Sequence, residues 1–240
     1  MTVPWTRKPL VGFDVETSGL DVDEDRIVTG SVVRWGGGMP TVAWTWLSDL
    51  GGAEIPADAT AVHGITTEQA RAEGRPAAEV VSEITDALSG WARQGWPIVV
   101  MNAPFDLTML ERECARYGVR SLWNATPVVL DPRVLDKQLD RYRKGRRRLV
   151  DLCTHYGVKL EGGAHNSEGD AKAACGVTWK IGRRYSHIGH GDLGELHELQ
   201  AVWARGMEED FRAYQLRSSG ECDESPFDWP LIVAPAGAGA

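Results

Sequence analysis

The sequence is poor in cysteine and has no long apolar run. It contains 4 cysteines in 240 residues. None of them forms a C-x-x-C pair, so we expect reduced thiols rather than a disulfide framework or a zinc knuckle. The longest apolar runs, such as residues 97–101, fall far short of the roughly 20 residues that cross a bilayer. The N-terminal residues lack the apolar segment of about 7–15 residues that precedes a secretory cleavage site. These absences predict a cytoplasmic protein that does not enter a membrane.

An excess of positive charge is also missing. The chain has a formal net charge of −8, with 42% hydrophobic and 25% charged residues. This composition is ordinary for one soluble globular domain, and it excludes a disordered chain or a coiled-coil rod. The acidic balance also argues against indiscriminate binding to nucleic acid.

The basic residues are nevertheless concentrated over residues 133–148, which we call the basic segment. It holds eight Lys and Arg residues and two Asp residues, so it carries +6 while the rest of the chain carries −14. Such a run is typical of a solvated helix face followed by a turn, and equally of a surface that contacts nucleic-acid phosphates. The charge pattern alone leaves both interpretations open.

The hydrophobic patterns predict an α/β fold with a mixed sheet. Three β-rich runs predict an antiparallel opening of three strands, at residues 9–15, 26–35 and 41–47. Later runs predict two more strands and four helices: strands at 97–101 and 127–130, and helices at 76–94, 104–117, 149–156 and from about 168. Hairpin strands followed by alternating helices and strands predict a five-stranded mixed sheet flanked by helices.

The chain changes character in its C-terminal part. An apolar stripe over residues 191–216 predicts a helix, and we favour docking of this helix on the core over binding of a partner. We expect the segment around Trp229 to pack on the domain and the last residues to be disordered. The chain is thus divided into three parts: a domain over residues 1–186, a C-terminal helical extension over 187–220, and a partly disordered tail over 221–240.

Two carboxylates are placed close together on the first predicted strand. Asp14 and Glu16 are two residues apart, so they lie on one face of the strand. Two carboxylates on one face repel each other unless a cation neutralises them. A solvated strand end would tolerate the same pair, and Asp-x-Glu alone favours that simpler interpretation.

Two further acids follow predicted strands or open predicted helices. Asp106 follows the strand at residues 97–101, and Asp170 opens a helix five residues after His165. Each of these acids alone would serve as a helix-capping group. Together with Asp14 and Glu16, however, they offer the carboxylate oxygens that Mg²⁺ or Mn²⁺ prefers.

Short motifs carry these residues in a recognisable order. The first is FDVETSG at residues 13–19, the second is NAPFD at 102–106, and the third runs from His165 to Asp170. Between them lie AVHGIT at residues 61–66 and a basic turn leading into a leucine-patterned helix at 145–153. The set resembles the DnaQ-like, or DEDDh, family of 3′→5′ exonucleases in the ribonuclease H-like superfamily, over about residues 9–185. Glu168 departs from the resemblance, because it places a charge where the third motif usually has a small or apolar residue.

The resemblance implies a fold, a cofactor and a mechanism. It implies a ribonuclease H-like sheet and two divalent ions, Mg²⁺ or Mn²⁺, that support phosphodiester hydrolysis. Asp14, Glu16 and Asp170 would hold one ion, Asp14 would also reach the second, and Asp106 would contribute partly through water. His165 would be the general base, a common role for histidine near neutral pH.

The resemblance also implies how the substrate is held. Thr17 matches the position that contacts the terminal 3′ nucleotide, and Leu20 is a candidate stacking wedge. Asn102 is a further candidate contact, and in the basic segment Arg146 and Arg147 would bind backbone phosphates without reading sequence. We expect His63, in the AVHGIT turn, to shape the rim of the site rather than bind metal.

Three functions are compatible with these residues. The first is a metal-dependent 3′→5′ exonuclease that releases nucleoside monophosphates from single-stranded or frayed DNA ends, in proofreading beside a DNA polymerase or in repair. The second is an RNA-trimming exonuclease of the same family, which would use the same acids. The third, a non-catalytic nucleic-acid or polymerase-binding module, is disfavoured because all four acids and the histidine are present.

Overall fold

The chain folds around a five-stranded mixed sheet, which confirms the predicted fold class. The computed structural model describes residues 3–162, 165–225 and 227–232. Its strands are β1 (Pro9–Thr17), β2 (Ile27–Gly36), β3 (Val42–Leu47), β4 (Ile98–Val99) and β5 (Val129–Leu130). They lie in the order β3-β2-β1-β4-β5. The pairs β1–β2 and β2–β3 are antiparallel, whereas β4 and β5 run parallel to β1. The long strand β1 is therefore central.

Helices cover both faces and one edge of this sheet. Their bounds are α1 (Ala57–His63), α2 (Thr67–Glu73), α3 (Ala77–Ala92), α4 (Ala103–Tyr117), α5 (Pro132–Leu139), α6 (Leu149–Tyr156), α7 (Ser167–Arg184), α8 (Ser186–Gly189) and α9 (Leu193–Ser219). The short helices α1 and α2 lie in a region for which the sequence patterns predicted only a turn. In the part of the chain described here, no helix is long and apolar enough to cross a membrane.

Alternation along β1 separates the hydrophobic core from the carboxylates. Val11, Phe13 and Val15 are buried in a cluster with apolar residues of α3 and α4. Asp14 and Glu16 lie on the opposite face, as the period of two requires. The pleat therefore turns both acids toward the face that α7 covers.

Close packing of α7 against β1 depends on a glycine. At Gly12, which shares the face of Asp14, an added Cβ would lie 2.5 Å from the carbonyl oxygen of Ala171 in α7. A side chain at this position would push the helix away from the strand.

Hydroxyl groups fix the first turn of α7 on the sheet. Ser167 Oγ lies 2.8 Å from Ser31 Oγ and 3.3 Å from Thr29 Oγ1, both on β2. In the register of the sheet, these two residues pair with Asp14 and Glu16. The N-terminus of α7, and with it Asp170, is thus held beside the two acids of β1.

The C-terminal helix α9 covers the edge of β5. Leu196 and Ala204 are buried, and the side chain of Gln200 accepts a hydrogen bond from Asp131 N at 2.8 Å and donates one to Val129 O at 3.0 Å. Trp229 is also buried in the core. The apolar stripe of α9 favoured docking on the core, and these buried residues show that α9 is docked there. The division of the chain at residue 186 stays a prediction, and the disorder expected at 234–240 lies outside the described residues.

Candidate active site

The second acidic motif is attached directly to β1. Asp106 lies in the first turn of α4, and its Oδ1 accepts a hydrogen bond from Val15 N at 3.1 Å. Val15 stands between Asp14 and Glu16, so this bond places the carboxylate of Asp106 next to both of them. Asp106 is almost fully buried, and Glu16 is largely so.

A buried acid that the sequence motifs did not indicate shapes the turn before Asp106. Asp131, only 1% exposed, accepts hydrogen bonds from Asn102 N at 3.3 Å and from Ala103 N at 3.0 Å. Asn102 is left-handed, with φ of 64°, and this conformation turns the chain from β4 into α4. The Asp-Pro pair at 131–132 is a helix-start signal, but only the fold shows that this acid also holds the neighbouring turn.

The third motif forms a capped turn at the start of α7. Asn166 Oδ1 accepts a hydrogen bond from Gly169 N at 3.0 Å, which caps the helix. His165 has φ of 64°, and its backbone N–H donates to Asp170 Oδ2 at 3.2 Å. The backbone thereby fixes the distance between the histidine and the last acid.

Three of these side chains offer the geometry of a metal site. Glu16, His165 and Asp170 each present one ligand atom, and these atoms all lie within 4.8 Å of one another. Asp170 Oδ1 is buried and has no hydrogen-bond partner among the described residues. A buried carboxylate oxygen without a donor is unfavourable in the protein alone, and a divalent cation would satisfy it. The carboxylate oxygens of Glu16 and Asp170 therefore fit a hard divalent ion, and the imidazole of His165 lies beside them.

The carboxylates also perturb one another. Burial, followed by the charges of Asp106, Asp170 and Glu16, raises the pKa of Asp14 well above its ordinary value. Burial and then the charge of Asp170 raise the pKa of Glu16 to about 7.

The pKa values of the two acids contributed by helices shift in the same direction. Burial raises the pKa of Asp106 to about 8, although the hydrogen bond from Val15 N opposes the shift. Burial also raises the pKa of Asp170, against the hydrogen bond from His165 N. Four carboxylates this close cannot all be ionised without cations, so a bound cation and the ionised acids stabilise each other.

The residues expected to hold the substrate surround this cluster. Thr17 lies at the end of β1 and donates its hydroxyl to Gly19 O at 2.6 Å, while Leu20 is 87% exposed just beyond. Asn102 Oδ1 accepts a hydrogen bond from the guanidinium of Arg133. Thr17 and Asn102 are therefore ordered before any substrate binds, whereas Leu20 is free to make a new contact.

The two arginines predicted to bind phosphate differ in their surroundings. Arg146 is exposed. Arg147 is 12% exposed in its side chain, and its Nε donates to the fully buried Asp136 at 2.8 Å. Arg143 donates to the same carboxylate at 2.8 Å. Arg147 therefore anchors the basic segment, and Arg146 projects from it.

Two other motif residues have local partners. His63 Nδ1 accepts a hydrogen bond from Ile65 N at 3.2 Å, which stabilises the turn after α1. Burial lowers the pKa of His63, so its neutral form is favoured. Glu168, the departure in the third motif, is ion-paired with Lys172 one turn along α7. This pairing offsets its charge next to the site.

Comparisons with known proteins identify relatives of this chain. The model of the RNase_T exonuclease family matches residues 11–178. A DNA polymerase III subunit epsilon-like protein of Rhodobacter capsulatus is 32% identical over 176 residues, covering 72% of this chain and 23% of that protein. An uncharacterized exonuclease, CP81, of Escherichia phage 186 is 27% identical over 185 residues, covering 72% of this chain and 88% of that protein.

Solved structures of exonuclease I share the fold. The enzyme from Methylocaldum szegediense superimposes with a TM-score of 0.61 at 19% identity, covering 75% of this chain and 41% of that chain. E. coli exonuclease I in complex with a dA16 oligonucleotide gives a TM-score of 0.62 at 17% identity, covering 75% of this chain and 42% of that chain.

The present chain spans less than half the length of these exonuclease I chains and under a quarter of the Rhodobacter protein. The family match nevertheless includes Asp14, Glu16, Asp106, His165 and Asp170. It follows that this chain belongs to the RNase_T, or DnaQ-like, family of exonucleases and has their ribonuclease H-like fold.

Proposed function

We propose that the protein is a metal-dependent 3′→5′ exonuclease that releases nucleoside monophosphates from DNA 3′ ends. The observation that carries this proposal is the convergence of four carboxylates with raised pKa values on one face of β1, beside His165. Divalent cations that neutralise such a cluster would let the scissile phosphodiester, itself an anion, approach the acids. Membership of the exonuclease family supports the same reaction.

The acids are proposed to hold two divalent ions, Mg²⁺ or Mn²⁺. Asp14, Glu16 and Asp170 would hold one ion, Asp14 would also reach the second, and Asp106 would contribute partly through water. When bound, such ions supply Lewis acidity for the phosphodiester and favour deprotonation of the attacking water. Asp170 Oδ1 is buried and has no hydrogen-bond partner among the described residues, and this feature supports the assignment.

His165 is proposed to take the proton from the attacking water. Its imidazole is exposed, and its backbone is tied to Asp170, so the ring stands at the edge of the acid cluster. A general base contributes about 10²–10⁴-fold to the rate of such a reaction. Removing the ring should therefore lower the rate by that factor without changing the fold.

The substrate is proposed to be the single-stranded or frayed 3′ end of DNA. Thr17 and Leu20 lie next to the acids and would contact the terminal nucleotide. Asn102 borders the second motif, and Arg146 offers an exposed charge for a backbone phosphate. The E. coli neighbour was solved with a dA16 oligonucleotide, which makes single-stranded DNA the first substrate to test.

A cleavage assay tests the proposal. Purified protein is incubated with 5′-labelled DNA strands and Mg²⁺ or Mn²⁺, and the products are resolved at single-nucleotide resolution. We expect a ladder that shortens from the 3′ end, no ladder with EDTA, and no ladder from Asp14→Asn. His165→Ala should lose about 10²–10⁴-fold in rate.

Matched variants control for general damage. Asp86→Asn and His187→Ala change an exposed acid and an exposed histidine outside the site, and both should cleave like the parent. Full activity of Asp14→Asn would refute the site assignment. Faster cleavage of an RNA strand of the same sequence would favour the RNA-trimming alternative, and fragments from a 5′ end would refute the proposed polarity.

The cellular setting is part of the same proposal. A free-standing enzyme in the cytoplasm and a proofreading partner of a DNA polymerase would use the same site. The resemblance to an epsilon-like polymerase III subunit makes a polymerase the partner to examine. Co-purification with a replicative polymerase, followed by preferential removal of mismatched 3′ termini, would favour proofreading over free-standing repair.

A further inference from the structure

A large cleft continues from the second acidic motif toward the C-terminal helix. It has a volume of about 740 Å³, and Asn102 and Pro104, at the start of α4, line one end of it. Asp106 follows in the first turn of the same helix. The volume lies within the range of about 300–1,000 Å³ that is usual for ligand sites. The cleft and the acid cluster thus share one turn of the chain.

Part of the cleft lining is positively charged. It includes Arg133 and Lys137 of α5, together with Arg146 of the loop that follows. Burial, followed by the charges of Arg147 and Arg141, lowers the pKa of Lys137. The cations therefore lie close enough to repel one another, and a polyanion in the cleft would relieve this repulsion.

The acidic groups of the cleft are already paired. Asp131 is buried and accepts the backbone hydrogen bonds described above. Glu208 of α9 accepts a hydrogen bond from Arg212 Nε at 2.8 Å. The residues that line the cleft include five Lys or Arg and two acids, so the lining has a formal excess of positive charge although the whole chain carries −8.

Another part of the lining is apolar and partly aromatic. It includes Met207 and Phe211 of α9, with Phe227 and Trp229 from the segment after the helix. Phe211 is 51% exposed and Phe227 is 37% exposed, so their rings are available to a ligand. Arg212 also donates to Ser225 O, which holds the last segment against α9.

We propose that this cleft binds the single strand of DNA that leads to the scissile end, with its phosphates along α5 and its bases against the rings of Phe211 and Phe227. The inference rests on the proposed function and extends it, because it makes α9 a wall of the substrate site. Positive grooves lined with aromatic rings suit single strands, whose base faces are free to stack. A duplex hides those faces and offers the rings nothing to contact.

Binding of a labelled single strand, measured apart from cleavage, tests the proposal. Fluorescence anisotropy of a 5′-fluorescein-labelled deoxyadenosine strand of about 12 nucleotides is followed in EDTA, which prevents hydrolysis. Loss of one base–aromatic stack should weaken binding at least ~5-fold, so Phe211→Ala and Phe227→Ala should each show this loss. Arg146→Ala should weaken binding as well, and Phe211→Trp, which keeps a stacking face, should bind like the parent.

The same helix provides matched controls. Tyr214→Ala and Arg217→Ala remove an exposed aromatic ring and an exposed charge on α9 that do not line the cleft, and neither should change affinity. Equal affinity of Phe211→Ala and the parent, absence of binding by the parent, or equal binding of a blunt duplex would overturn the proposal.

Cleavage of the same strand with Mg²⁺ or Mn²⁺ separates the two proposals. If the parent binds as expected but releases no nucleotide, the proposed exonuclease activity is refuted and the proposed DNA binding in the cleft is supported. If the parent cleaves and the cleft variants bind and cleave as the parent does, the proposed DNA binding in the cleft is refuted and the exonuclease activity is supported. Circular dichroism of each variant shows that the fold is retained.

Discussion

Asp170 illustrates how the candidate site opposes the stability of the fold. Its Oδ1 is buried without a hydrogen-bond partner among the described residues, and burial raises its pKa. Burial and the charges of three neighbouring carboxylates likewise disfavour the charged form of Asp14. Residues that serve only stability are not arranged in this way. The conflict is resolved if cations bind, and it can therefore be measured when they are absent.

Replacing Asp14 by asparagine should stabilise the protein while abolishing cleavage. Without cations, burial and the neighbouring acids disfavour the charged form of Asp14, a cost of folding that neutral asparagine does not have, and relief of this kind is worth ~1–2 kcal/mol. Each kcal/mol shifts the Tm of a domain of this size by about 2–4 °C. Scanning calorimetry in EDTA should show a Tm a few degrees above that of the parent, whereas Asp86→Asn should leave it unchanged. An unchanged or lower Tm for Asp14→Asn would show that the acids do not repel one another in the folded state.

The acids of the motifs could be predicted from the sequence, but their supporting residues could not. Asp14, Glu16, Asp106 and Asp170 lie at strand ends and helix starts, where local patterns are informative. Arg146 and Arg147 are adjacent in one basic run, and nothing local indicates which of them is held by Asp136. That distinction depends on the packing of α5 against the loop, which only the fold fixes.

Helix α9 supplies the hydrogen-bond partners that a further strand would give to the edge of β5. The strand β5 is only two residues long and lies at the edge of the sheet, so its outer backbone groups need partners. Gln200 supplies two of them, at Asp131 N and Val129 O, and His197 Nδ1 accepts a hydrogen bond from Val129 N at 3.1 Å. The apolar stripe of α9 predicted docking, but a buried glutamine within the stripe gave no sign of its partner.

Replacing Gln200 by leucine should destabilise the protein. Leucine fits the apolar surroundings but leaves Asp131 N and Val129 O buried without partners. Each such group costs about 1–3 kcal/mol, and the Tm should fall by roughly 2–4 °C for each kcal/mol lost. Gln138→Leu, at an exposed position of α5, is the control and should leave the Tm nearly unchanged. A Gln200→Leu protein as stable as the parent would mean that the edge of β5 is satisfied in another way.

His197 should make the stability of this edge depend on pH. Burial lowers the pKa of His197 below its ordinary value of 6.5, so the folded protein keeps the ring neutral while the unfolded chain takes up a proton. The unfolded state then binds more protons below about pH 6.5, and stability is lost as the pH falls from there. The Tm of the parent should drop more between pH 7 and pH 5 than that of His197→Asn. His187→Asn, at an exposed site, should follow the parent, and parallel profiles for all three proteins would exclude the effect.

At the scale of the whole molecule, the mixed five-stranded sheet and the positions of the longer helices follow from patterns that the sequence displays. Hairpin strands followed by alternating helices and strands leave few ways to build one sheet. The helices α1 and α2 were missed because they are short and partly exposed, and short helices owe most of their stability to tertiary contacts. The close approach of α7 to β1 at Gly12 was also not predicted, since a glycine in a strand does not identify its neighbour.

The uneven charge of the molecule leads to a last prediction. The basic residues of the cleft attract the phosphates of a DNA strand, whereas the acidic remainder of the chain repels them. Binding should therefore depend on a few ion contacts, and it should weaken as the salt concentration rises. For a single strand, log Kd changes by about 0.7 per neutralised phosphate for each unit of log salt concentration. Arg146→Ala should therefore reduce the slope of the parent by about 0.7, measured by anisotropy at several KCl concentrations in EDTA. Arg217→Ala should keep the parental slope, because its charge lies on α9 outside the cleft. A parental slope near zero, or equal slopes for all three proteins, would show that the basic segment does not contact the strand.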